Sequence, residues 1–402
     1  MLTRAFQRSL RTSHSSQHTV LRTCSNARST SSSSQHSLPA AYYRGGTSRA
    51  VIFNRADLPP SQQEWAPIFR GAIGSPDPYG RQLDGLGGGI SSLSKVCVVG
   101  APSTHPAADV DYTFAALGVK NADVDFSSNC GNMVSAVGPY AVDAGLFEAH
   151  RDAQSAIVRI HNTNTGKIIH ATFPVVNGEA AARGDLAIDG VAGTAAPIKL
   201  DFIDPAGSRT GQMLPTGGVR DRFDGVDATC VDVANPCVFV RADDLGVSGT
   251  LTPDEISATP GLLARLDSIR RQAGVAMGLA SKPEDVPGSV PKIGMVSSPA
   301  EGGADGNNKR AVDLVVRALS VGQPHRAVPI TVALALATAA RLPGSTVADV
   351  TSSDPIDPAG ITIGHASGKI LVGATFRGGG GLEFATVFRT ARRLFEGQIF
   401  WK

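Results

Sequence analysis

Two stretches of the chain are apolar on nearly every face they would present as helices: MVSAVGPYAVDAGLF from Met133 and VPITVALALATAARL from Val328. A helix without a polar side has no face to give to water. Both are therefore expected at the centre of a core, with strands closing tightly around their small residues. Pro139 is expected to kink the first helix or end it early. Short runs rich in β-branched residues, bounded by Gly, Pro or Asp, predict strands at 96–99, 156–161, 167–174, 198–203, 228–233, 238–241, 292–296 and 370–376. Leu263, Leu266, Ile269, Ala273 and Met277 recur at helical spacing and predict a surface helix over 259–280. Residues 301–309 form a polar, Gly-rich loop. Each buried helix follows a strand-rich approach, so the body reads as two similar α+β halves. The first lobe is set at 38–195 and the second at 196–402. The boundary is loose within 180–215, and the last strands are free to return to the first lobe.

Residues 1–37 do not fit this pattern. They hold Arg4, Arg8, Arg11, Arg22 and Arg28, many Ser and Thr, and no acid; Leu2, Phe6 and Leu10 fall near one helical face. That is the composition of a mitochondrial transit peptide. The alternative is a low-complexity tail on a cytoplasmic protein. Five of the 37 basic residues lie here, which leaves 32 against 35 acids and turns the overall +2 into a slightly acidic body. Such a body offers no electrostatic case for nucleic acid or a membrane surface. No apolar run reaches the roughly 20 residues of a membrane span. The five cysteines, Cys24, Cys97, Cys130, Cys230 and Cys237, lack metal-site spacing and read as reduced thiols.

Candidate chemistry gathers around the two helices. Lys95 ends Ser-Ser-Leu-Ser-Lys and opens an apolar strand. Partial withdrawal from water there would make its amine easier to deprotonate, although spacing alone reads it as a surface lysine. Cys130, in Asn129-Cys130-Gly131-Asn132, starts the first buried helix, whose positive end favours a thiolate. A small buried thiol is the other reading. Gly131 and Asn132 offer first-turn N–H groups, and Thr47 and Ser48 follow a Gly-Gly turn that can aim N–H groups at an anion. Ser94 neighbours Lys95, Asn235 precedes a proline, and His365 and Ser367 share a Gly-His-x-Ser-Gly turn; each reads equally as a turn former or cap. Before the second helix the chain reads Gly322-Gln323-Pro324-His325, with no cysteine. His325 is a candidate carboxylate ligand or second acid, or a structural histidine. Asp77, Tyr79 and Asp84 are read as fixing their own loop. Gly87-Gly88-Gly89 lacks the strand–helix setting of a dinucleotide loop, so no NAD is expected.

Several motifs occur together in one order: Arg44-Gly45-Gly46-Thr47-Ser48, 74–80 (GSPDPYG), Ser91-Ser92-Leu93-Ser94-Lys95, Asn129-Cys130-Gly131-Asn132, Pro215-Thr216-Gly217, 235–240 (NPCVFV), 313–320 (DLVVRALS), Gly364-His365 and Arg392-Arg393. This arrangement resembles the PrpF-like family over nearly the whole chain after residue 38. The resemblance implies a fold similar to that of diaminopimelate epimerase, two pseudo-symmetric lobes each wrapped around a central helix, with the site between them. It also implies an isomerase that needs no metal or organic cofactor and acts on a small polycarboxylic acid. The activities it implies are 2-methylaconitate cis–trans isomerase, methylitaconate isomerase, aconitate isomerase and 4-oxalomesaconate tautomerase. Lys95 falls on the family's active-site lysine. Cys130 matches a cysteine that diaminopimelate epimerases use as acid or base, or it only shapes the pocket while Lys95 works alone. Arg49 departs from the family's frequent lysine; arginine practically cannot give up a proton, which weakens a role as base and leaves a phosphate-like or carboxylate contact possible.

Moving a double bond in such an acid requires a base for the allylic proton, donors for the dienolate and a route for the proton's return. The missing cysteine before the second helix argues against a two-thiol racemase. A non-catalytic tricarboxylate-binding protein is the reading from another class, and the presence of both Lys95 and Cys130 speaks against it. A homodimer or larger homo-oligomer is compatible with all of these readings.

Overall fold

A computed structural model describes residues 35–103, 105–299, 311–358, 360–378 and 381–402. The leader up to residue 34 and the loop at 301–309 lie outside them. The first strand, His36–Gly45, already begins within the segment set aside as leader.

Among the described residues five α-helices accompany the strands: α1 (Trp65–Ile73), α2 (Gly131–Asp143), α3 (Pro253–Ala258), α4 (Leu262–Ala276) and α5 (Ile330–Ala339). The first sheet runs Ala391–Trp401, His36–Gly45, Ser48–Asn54, Lys95–Gly100, Val110–Leu117, Ser155–Asn162, Lys167–Val176, Ile198–Ile203, Leu382–Arg389. It curls around α2, which is buried along its whole length apart from its last residue, Asp143. The second sheet runs Asp221–Phe223, Val226–Val233, Asn235–Arg241, Lys292–Ser297, Leu314–Ser320, Ile361–His365, Gly368–Phe376. It wraps the fully buried α5. Gly368–Phe376 also pairs with Leu382–Arg389, so the sheets are continuous and the last two strands belong to the first lobe. The architecture is α+β with few helices and a core helix in each lobe, as the resemblance implies.

The reason the strands are apolar on successive residues is burial on both faces. On one face Ile52, Cys97 and Val99 join the core around α2; on the other, Phe53, Val96 and Val98 pack against α1. The second lobe repeats this, with Cys237 and Phe239 turned inward and Val238, Val240, Ile293 and Met295 packed under α4. Lys95 and Lys292 each open such a strand on its inner face, two residues before the inward-facing positions 97 and 294. The strand pleat thus aims both side chains toward the helix starts.

Three expectations are corrected. Pro139 does not end the first helix early; the helix continues to Asp143. The helix C-terminus is held by Tyr43, whose hydroxyl donates to Asp143 Oδ2 at 2.5 Å, and the burial of its whole apolar surface outweighs the loss of one backbone bond at proline. The helix placed at 259–280 is shorter, because Gly261 (φ +74°) sets its start and Gly278 (φ +75°) stops continuation beyond Met277. Arg49, kept as a possible carboxylate contact, instead stands over the Tyr42 ring at 5.7 Å, away from the cleft.

Candidate active site

The starts of α2 and α5 meet head to head. A Cβ on Gly131 would lie 2.5 Å from Ile330 Cβ, so only glycine lets the two first turns come this close. Their free N–H groups, and the positive ends of both helix dipoles, point into one narrow pocket between the lobes. Gly131, Asn132, Ile330 and Thr331 line it, together with Ser48, Lys95, Phe114, Cys130, Ser289, Lys292 and His325. Two helix N-termini and two lysines facing a single cavity make a strong site for a polyanion.

Six of the residues singled out in the sequence therefore come together: Ser48, Lys95, Cys130, Gly131, Asn132 and His325. The Lys95 side chain is buried, its Nζ is 5.0 Å from the centroid of the Phe114 ring, and it makes no hydrogen bond to a described residue. Cys130 is the N-cap of α2; its carbonyl accepts the Val134 N–H at 3.1 Å, while its thiol remains half-buried.

Other candidates support the wall without lining it. Asn132 Nδ2 donates to Thr47 Oγ1 at 3.2 Å, beneath the turn where Gly46 takes φ +52°. Asn235 Oδ1 accepts the Asn129 N–H at 2.9 Å, and its Nδ2 donates to the Asn129 carbonyl at 2.8 Å and to Thr331 Oγ1 at 3.2 Å. It therefore ties the residue before Cys130 to the first turn of α5. Ser94 Oγ lies 2.8 Å from both Gln82 Oε1 and the Ile90 carbonyl oxygen, its one O–H shared between these acceptors; it ties down the preceding loop and is not among the residues lining the pocket. His365 and Ser367 lie outside the pocket: the Ser367 N–H donates to His365 Nδ1 at 3.2 Å, and its hydroxyl donates to the Arg326 carbonyl at 2.8 Å. Asp77 holds its own loop by accepting the N–H groups of Tyr79, Arg81 and Gln82, and those bonds lower its pKa. Asp84 meets Lys402 at the surface.

Sequence reasoning missed Lys292. Its signal was present, a lysine opening an apolar strand as Lys95 does, but no motif marked it. Nζ donates to the Ser289 carbonyl at 2.9 Å. Burial pushes the Lys292 amine down to about 8; Lys95 adds to the push, while Cys237, Cys130 and Asp125 oppose it. Ser289 is in turn held by the first lobe, its N–H donating to Asp125 Oδ2 at 3.0 Å and its hydroxyl 2.9 Å from Ser127 Oγ.

His325 Nδ1 lies 2.8 Å from the Ala327 carbonyl oxygen. Burial, with the cations Lys95 and Lys292 and the neighbouring His365, pushes it down to about 4. His365 is pushed to about 4 by burial and by Arg389 and Arg317, against Asp189. Both are neutral at physiological pH. The unfolded chain takes up these protons near pH 6.5 and the folded chain only near 4, so the unfolded state binds more protons between those limits. Stability is therefore expected to fall as pH drops from 6.5 to 4. Urea midpoints measured through this range should fall less steeply in His325→Gln than in the wild type; identical slopes would place the acid sensitivity elsewhere.

The family described as PrpF protein matches residues 35–402. The chain belongs to this family. It is 40% identical to the 3-methylitaconate isomerase of Eubacterium barkeri, over 92% of this chain and 98% of the relative. To the 2-methyl-aconitate isomerase of Cupriavidus necator it is 38% identical, over 91% and 97%. To the (4E)-oxalomesaconate Delta-isomerase of Novosphingobium sp. (strain KA1) it is 37% identical, over 90% and 97%. The crystal structure of methylitaconate-delta-isomerase superposes with a TM-score of 0.71 at 39% identity, covering 91% of this chain and 96% of that one. A probable proline racemase from Agrobacterium radiobacter K84 shares the fold, with a TM-score of 0.51 at 11% identity over 90% of this chain and 92% of that one. This PrpF-family chain is thus an isomerase with a diaminopimelate epimerase-like fold.

Proposed function

We propose that the protein shifts or rotates the C=C bond of an aconitate-type tricarboxylate by taking an allylic proton and returning it. One observation carries this reading: the Lys95 amine and the Cys130 thiol open into the same narrow pocket, where the first turns of α2 and α5 converge. The amine removes the proton. The helix N–H groups and the Lys292 side chain stabilise the dienolate and the substrate carboxylates, and an acid of the same pocket reprotonates the carbon skeleton. Relatives named for methylitaconate, 2-methyl-aconitate and oxalomesaconate support a substrate with an unsaturated carbon next to carboxylates.

Incubation with cis-aconitate in D2O, followed by proton NMR, is expected to show trans-aconitate appearing and deuterium entering the methylene. Cys130→Ser should fold normally and lose turnover, by no more than a Lys95 variant does; full activity would reduce the thiol to a packing role. If aconitate and its methyl derivatives neither isomerise nor exchange while an oxalomesaconate-type keto acid does, the enzyme is a keto–enol tautomerase.

A further inference from the structure

The pocket at the two helix starts holds about 20 Å³, room for roughly one water molecule. An aconitate-type acid is many times larger, so the walls must part before it enters. They are tied together at an exposed place. The loop at 184–196, which precedes Ile198–Ile203 of the first sheet, is pinned at its base: the Leu186 and Ala195 N–H groups each donate to the other's carbonyl at 3.1 Å. At its tip Asp189 Oδ2 accepts the Lys369 N–H at 2.7 Å. Gly368 (φ +137°) makes room for this, since a Cβ there would run into the same carboxylate. The next residue, Gly190, reaches both walls: a Cβ on it would lie 3.4 Å from Thr47 Cγ2 and 3.7 Å from Ser367 Cβ. Thr47 belongs to one wall, through Ser48 beside it and the Asn132 amide bonded to its hydroxyl. Ser367 belongs to the other. Its hydroxyl donates to the Arg326 carbonyl at 2.8 Å, next to His325 in the pocket lining.

We propose that Asp189 and Gly190 are the latch of the active site: fastened to the hairpin at 365–369 they hold the Ser48 and His325 walls together, and their release admits the substrate. This rests on the reading of the protein as an isomerase of an aconitate-type acid. The latch is built to let go. Asp189 and Gly190 are exposed, and the loop turns on glycines in the left-handed region at 190 (φ +87°) and 193 (φ +77°). A cavity of about 480 Å³ lies between residues 186–189 and the strands Gly368–Phe376 and Leu382–Arg389. A tip so loosely underpinned, and fastened by an exposed hydrogen bond, opens at low free-energy cost. The cavity also offers the freed carboxylate a partner. Arg389 lines it, buried, and its Nε has no hydrogen-bond partner, a costly state for a guanidinium. Burial pushes Arg389 down to about 10 and Asp189 works against that push, so the two charges already act on each other. Asp189 thus has a backbone amide to hold when the latch is shut and a guanidinium to meet when it opens.

The test fastens the latch covalently. The 3.7 Å between a Gly190 Cβ and Ser367 Cβ falls in the span of about 3.5–4.5 Å that a disulfide bridges, so the double variant Gly190→Cys/Ser367→Cys can be locked and unlocked. Locked by oxidation, it is expected to turn over cis-aconitate roughly tenfold or more slowly than the same protein after reduction, because the gating step is blocked. Each single-cysteine variant should be indifferent to the reductant, which separates the latch from oxidation of Cys130. A double variant shown by thiol count to be bonded, yet working within about twofold of its reduced form, overturns the proposal. A second measurement needs no substrate. In Asp189→Ala the amides at 186–195 and at 365–369 should exchange hydrogen roughly tenfold faster, both segments together, while α2 and α5 keep their protection. Unchanged exchange at the hairpin overturns the latch whatever the substrate. The expected exchange, beside a wild type that leaves every aconitate-type acid untouched, sinks the substrate reading and keeps the latch.

Discussion

Lys95→Ala is expected to lower turnover of an aconitate-type acid by roughly 10²–10⁴-fold, the range that a positioned proton-transfer group contributes, while urea unfolds the variant at nearly the wild-type concentration. The two halves of this expectation come from the same geometry. The Lys95 amine makes no hydrogen bond to a described residue, so truncation leaves no buried donor or acceptor without its partner. The variant loses methylene packing and a cation near the Phe114 ring, but it also stops burying an ammonium group, and these effects oppose each other. Nothing in the pocket replaces the lost amine along the same path. Lys95→Arg separates charge from proton transfer: the guanidinium keeps a cation for the carboxylates and cannot act as a base, so it should bind substrate and remain as inactive as the alanine variant. A Lys95→Ala enzyme working within tenfold of the wild type would end the assignment.

Much of this arrangement was legible because burial leaves a simple mark. α2 and α5 are surrounded by sheet, so their sequences are apolar all round. The strand at Ile198–Ile203 was read to the residue because turns bound it on both sides. Less legible were elements whose partners lie far along the chain. His36–Gly45 pairs with Ala391–Trp401, with His36 opposite Trp401, and neither strand alternates cleanly, since most of the second is exposed. α1 was not foreseen because its apolar face covers a sheet whose other side is already occupied by α2. At the site, Lys95 stood out because a motif surrounds it. Lys292 has only Pro291 before it and an apolar strand after it, and a lysine in that setting usually reaches solvent. Only strand pairing brings it into the cleft. Asn235 was singled out next to a proline as a binding group, yet its role is to hold backbone, which depends on Asn129 and Thr331, distant in sequence.

Asn235→Leu is expected to destabilise the protein by about 3–5 kcal/mol, because leucine fills a similar volume but orphans three buried groups at roughly 1–3 kcal/mol each before relaxation. These are the Asn129 N–H, the Asn129 carbonyl and the Thr331 hydroxyl, all now bonded to one fully buried amide. Urea unfolding measures the loss. Thr331→Val removes a single one of these bonds and should cost about 1 kcal/mol, which calibrates the larger figure. The same amide sets the active site: Asn129 immediately precedes Cys130, and Thr331 stands in the first turn of α5, so both faces of the pocket are referred to one side chain. The fraction of Asn235→Leu that still folds should therefore turn over at least tenfold more slowly, since the N–H groups of the two first turns no longer converge on one point. A variant within about 1 kcal/mol of wild type and fully active would show that the lobes take their alignment from the Ser289–Asp125 and Ser91–Gln323 contacts instead.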